Sequence, residues 1–179
     1  MLPRVQMVMR QFPFSATESG ITYVAAHPIS WSEPTVLERR MRPPATPDDA
    51  AEVLAEFAKT DFALAFETYW DLWVAESKGG SWVSQPMKVE FLVHGTEFEE
   101  GLYEERGHIE VDFGLDFPFL QEEVNLDRGD ADKVRANVAK LVEFTRRVEQ
   151  NTSLTGRVLW SESDSNLAQK LISRLQRVQ

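Results

Sequence analysis

Residues 69–94 read YWDLWVAESKGGSWVSQPMKVEFLVH. Two runs rich in aromatic and β-branched side chains flank Gly79 and Gly80, and a glycine pair between such runs is a hairpin signal. The stretch is therefore read as two antiparallel strands, which makes a sheet the centre of the fold. In the second run Val89, Phe91 and Val93 alternate with Lys88, Glu90, Leu92 and His94, the period of a strand with one buried face. Pro86 has no N–H to give to a ladder, so it is expected to break or bulge this strand. Trp70, Trp73 and Trp82 lie here, three of the five tryptophans of the chain. They are read as core or core rim, because large aromatics dominate ordinary cores.

Just downstream, residues 108–117 read HIEVDFGLDF. His108, Glu110 and Asp112 alternate with Ile109, Val111 and Phe113, again the pattern of a half-buried strand. If this strand neighbours the one ending at His94, then His94 and Glu90 join His108, Glu110 and Asp112 on one open surface. Imidazoles and carboxylates are the usual donors to zinc, manganese or iron where thiolates are absent. His94, His108, Glu110 and Asp112 are thus the candidate metal ligands, and His108, Glu110 and Asp112 the candidate catalytic groups, of a small hydrolase-like enzyme. No HExxH, GxGxxG or GxSxG pattern and no phosphate loop accompanies them. Charged residues alternating on the wet face of an antiparallel sheet also need no metal to explain them, and no cofactor is called for.

Upstream, Val5, Met7 and Met9 alternate with polar residues, with Val8 against the rule. Residues 21–26 form a second apolar run, and the polar stretch SATESG lies between the two. A hairpin is the economical reading. Residues 31–44, WSEPTVLERRMRPP, fit either a short helix opened by Ser32 or an edge strand through Val36, Glu38 and Arg40. The first clear helix signal is TPDDAAEVLAEFA at residues 46–58. Thr46 is placed to cap, Pro47 to occupy the first position, and Asp48 and Asp49 to complement the dipole. Ala50, Val53, Leu54 and Phe57 share a face, and the helix is expected to end near Thr60. Phe62, Phe66 and Tyr69 keep a helical spacing that would extend it or begin another.

In the last third, Val134, Val138, Leu141, Thr145 and Val148 form a stripe on a helix from about residue 131 to 150, with Asp130 as its cap. A short strand over 157–160 follows, then a helix with Leu167, Leu171, Leu175 and Val178 on one face. This order suggests a crossover that lays the strand at Val158 parallel to the one at Ile109. The expectation is one α+β domain over 1–179. It is a two-layer sandwich with a mostly antiparallel, partly mixed sheet of about six or seven strands and about three main helices on one face.

Charge is unevenly distributed. Of a formal net charge of −10, residues 97–132 carry thirteen acidic side chains against two basic ones, Arg106 and Arg128, so the rest of the chain is close to neutral. Broad binding to nucleic acid or anionic lipid needs the opposite sign, so neither is expected as a partner. The chain has no cysteine, hence no disulfide, thiolate metal site or cysteine nucleophile, and it has no apolar window of membrane-spanning length. It is read as a cytoplasmic, non-enzymatic binding protein whose acidic surface over 97–132 meets a basic protein partner. The contact residues are Glu97, Glu99, Glu100, Glu104, Glu105, Glu122 and Glu123. The enzyme built around His94, His108, Glu110 and Asp112 is the alternative.

Overall fold

The structure, a computed structural model, describes residues 1–76, 81–119, 128–154, 156 and 158. In these residues the fold is α+β, with one antiparallel sheet of five strands and four α-helices. The helices are α1 (Leu2–Met9), α2 (Pro47–Leu54), α3 (Tyr103–Arg106) and α4 (Arg128–Asn151). The strands are β1 (Ile21–Pro28), β2 (Leu37–Arg40), β3 (Phe62–Ala75), β4 (Trp82–His94) and β5 (Ile109–Asp112), in the order β2-β1-β3-β4-β5. Among the described residues the strand count is five, below the six or seven expected. The strand expected over 157–160, its crossover and the last helix lie outside the described residues. So do Gly79 and Gly80, although Glu76 N–H donates to Ser81 O (2.9 Å) across the hairpin. Two compact units make up the chain, one of Met1–Leu72 with Ser84–Gly114 and one of Trp73–Val83 with Leu115–Gln179. The sequence reading does not distinguish them.

In the first unit, the opening hairpin expected from Val5, Met7 and Met9 is replaced by helix α1. The residue that broke the alternation, Val8, explains why: Val5, Val8 and Met9 are buried at helical spacing, and Pro3 stands in the first turn, where its missing N–H has no helical partner to lose. The chain leaving α1 delivers Phe12 to the sheet, stacked on Trp70 (5.5 Å) and edge-on to Phe91 (5.3 Å). Helix α2 keeps the expected cap: Asp49 N–H donates to Thr46 Oγ1 (3.1 Å), and Asp49 Oδ2 accepts from Thr46 N–H (2.8 Å). A hydrogen bond from the Thr46 hydroxyl (2.6 Å), and then that from its backbone N–H, hold the Asp49 carboxyl below its usual range. The α-helix ends at Leu54 and a 3-10 turn completes it at Phe57, short of Thr60.

Phe62, Phe66 and Tyr69 belong to β3, not to a helix. The spacing of four from Phe62 to Phe66 also fits alternation, while Tyr69 falls on the other face, since the even-numbered residues Leu64, Phe66, Thr68, Trp70, Leu72 and Val74 are all buried. The segment 31–44 resolves as edge strand β2, with Ala25 opposite Glu38 and Tyr23 opposite Arg40. Pro86 neither ends nor interrupts β4. Strand β5 pairs with Glu90, Phe91, Leu92 and Val93 only, so at Pro86 no described strand needs a donor on that side. At the other end of β4, Gly95 passes so close to the chain entering β3 that a Cβ would lie 2.2 Å from Thr60 O and 2.8 Å from Phe62 O.

In the second unit α4 starts at Arg128, which places Asp130 in its first turn rather than at the cap. Val134, Val138 and Leu141 are buried as expected, and Phe144 takes the inner place given to Thr145. Buried among them, Asn137 pairs with a strand backbone: its Oδ1 accepts from Trp73 N–H (2.9 Å) and its Nδ2 donates to Trp73 O (2.8 Å) and Pro118 O (2.9 Å). A side-chain amide thus stands in for a neighbouring strand, satisfying groups that would otherwise be buried without partners. Lys133 Nζ lies 3.8 Å from the Trp73 ring centre, and Trp73 and Trp82 are half-buried while Trp70 is in the core.

Candidate interaction surface

Strand β4 ends at His94 and the chain returns as β5, and the ten residues 97–106 between them hold five of the predicted contact carboxylates. Glu97, Glu99, Glu100, Glu104 and Glu105 are all exposed. Phe98, fully buried, anchors the segment from below. Glu97 is tied at both ends to Thr60, its N–H donating to Thr60 O (2.7 Å) and its Oε2 accepting from Thr60 Oγ1 (3.0 Å). Glu99 bonds to the loop after β1: its N–H donates to Ile29 O (2.7 Å) and its Oε2 accepts from Trp31 N–H (3.3 Å). Glu99 (φ 48°), Glu100 (φ 55°) and Gly101 (φ 92°) are consecutive left-handed residues, a conformation natural to the glycine alone. Glu122 and Glu123 lie outside the described residues.

Of the four metal or acid–base candidates, Glu110 and Asp112 lie on β5, next to β4, which ends at His94, with Asp112 opposite Glu90 and Glu110 opposite Leu92, whereas His108 stands in a bend just before β5 rather than on the strand. They do not converge. His94 is fully buried, stacked with Phe98 and edge-on to Trp31. Its Nδ1 lies 3.1 Å from Gly107 O and its Nε2 4.0 Å from Glu110 Oε2. His108 turns toward Tyr103, with ring centres 4.6 Å apart, and its Nδ1 reaches His94 O at 3.4 Å. Asp112 folds back to accept from Gly114 N–H (2.8 Å), while Glu110 also accepts from Arg106 (3.3 Å). Among the described residues no three histidine, aspartate or glutamate side chains come together as a metal would require.

The polar face of the sheet continues this acidic character inward. Lys88 Nζ sits 2.6 Å from Glu90 and 3.6 Å from Glu67, and the bond to Glu90 raises the pKa of the ammonium. Burial, then the charge of Glu38 and its hydrogen bond, holds the Tyr23 phenol above its usual range. The His27 imidazole goes the other way, lowered chiefly by burial against the opposing pull of Glu38 and Glu90.

Two residues of this surface escaped the sequence reading. Ile29 is 62 % exposed and Trp31 37 % exposed, beside the Glu99 carboxylate. The available signal was HPISWSEP, in which large apolar side chains stand alone among turn-forming residues. No helix among the described residues is long and apolar enough to cross a membrane. Comparison with protein-family models, with curated proteins and with solved structures finds no match to this chain.

Proposed function

We propose that this chain is a small non-enzymatic binding protein that meets a basic protein partner through the carboxylates of residues 97–106. The observation that carries the reading is the exposure of Glu97, Glu99, Glu100, Glu104 and Glu105 together on one short segment. Arg106 is the one basic residue in that segment, and it already bonds Glu110. Like charges gathered in this way repel one another, and a cationic partner relieves the repulsion while its approach is steered by the field.

The test holds net charge constant. An oligo-arginine peptide is titrated into the full chain, into the variant Glu100→Gln, Glu104→Gln, Glu105→Gln, and into the control Glu18→Gln, Glu52→Gln, Glu56→Gln. The exposed control carboxylates lie elsewhere. Loss of binding confined to the first variant supports the surface; equal loss in both shows only that the protein is acidic.

A further inference from the structure

We infer that the loops 29–31 and 99–101 form a docking tip for a polypeptide segment in which an arginine or lysine stands next to an aliphatic or aromatic side chain. The inference rests on the acidic-surface reading and names the chemistry of its partner. Ile29 has φ 63°, a left-handed conformation that is an outlier for a β-branched residue. It is clamped from both sides, its N–H donating to Asp61 O (2.7 Å) and its carbonyl accepting from Glu99 N–H (2.7 Å). A glycine would occupy this position without strain, yet the chain displays an apolar side chain to water there.

Next to it, the Trp31 indole rests on a fixed bed, with ring centres 4.7 Å from His27, 5.1 Å from Phe98 and 6.0 Å from His94. The backbone N–H of Trp31 holds the Glu99 carboxylate beside the ring. An exposed indole next to a tethered carboxylate offers a cation both a ring face and a counter-charge, and Ile29 offers the neighbouring side chain an apolar contact.

The experiment is selection from a random peptide display library on the immobilised full chain, with selected peptides re-measured on Ile29→Gly. That variant removes the side chain and relaxes the backbone, so it keeps the fold. Peptides combining Arg or Lys with an adjacent apolar residue are expected to be enriched, and to bind Ile29→Gly about tenfold more weakly or worse. No enrichment over the bare support overturns the inference. Salt-sensitive basic peptides that bind Ile29→Gly as tightly overturn the tip and leave the acidic surface standing. Enriched peptides without basic residues overturn both. Self-association in sedimentation that Ile29→Gly abolishes overturns it too, by making a second copy the occupant.

Discussion

At Ile29 a glycine would hold the same φ of 63° without the clash between Cβ and the following carbonyl, which costs an L-residue about 1–2 kcal/mol. Set against the extra freedom glycine has when unfolded, about 0.5–1 kcal/mol, Ile29→Gly should stabilise by up to about 1.5 kcal/mol, read from the urea midpoint. A loss of stability would mean that the exposed side chain packs on something that holds it. His27 ties stability to pH. Its pKa is lowered in the folded chain, chiefly by burial, so below the unfolded value of about 6.5 the unfolded state binds more protons. Its contribution to stability is therefore fully present above that pH and is lost as pH falls through the folded pKa. Urea midpoints at pH 7 and pH 5 should differ less for His27→Phe than for the parent chain. Neither residue stood out in the sequence, because long-range bonds to Asp61 and Glu99 set the first and burial under Trp31 contributes to the second.

Among the elements, those whose ends carry their own chemistry were legible. Thr46, Pro47 and Asp49 mark the start of α2 without help from the rest of the chain, and the alternation around Phe91 marks β4. Helix α1 was not legible, since Val5 and Met9 satisfy both a strand and a helix over so short a run, and only packing of Val8 decides. Strand β2 was an open choice for the same reason: as an edge with three exposed residues it has little burial to pattern it. For α4 the decisive residue is polar. Asn137→Asp exchanges the amide donor to Trp73 O and Pro118 O for a buried charge, and should destabilise by about 2–4 kcal/mol in a reversible denaturant melt. Leu141→Ala should cost about 2–5 kcal/mol through lost burial and a residual cavity, against about 0.5 kcal/mol or less for Thr145→Ala. Equal effects at Leu141 and Thr145 would show that the helix presents a different face.

For the whole molecule, the imbalance of charge was readable from the sequence, while its setting was not. Composition located thirteen carboxylates, but the fold decides that Glu97 and Glu99 tie loops together and that Glu100, Glu104 and Glu105 are exposed on the same segment. Association with a basic peptide should slow as salt is raised, because charges are screened over ~10 Å at 0.1 M ionic strength. Stopped-flow rates that ignore ionic strength would remove electrostatic steering from the account. The opposite side of the sheet has a different consequence. Strand β2 is outermost, four residues long, and shows Glu38, Arg39 and Arg40 to solvent. A second sheet approaching along that margin would have to strip water from charges of both signs before gaining a backbone bond, which is how natural proteins blunt an open edge. The margin at β2 therefore resists fibre growth, so the chain can be crowded to high concentration without its sheet being extended from that side.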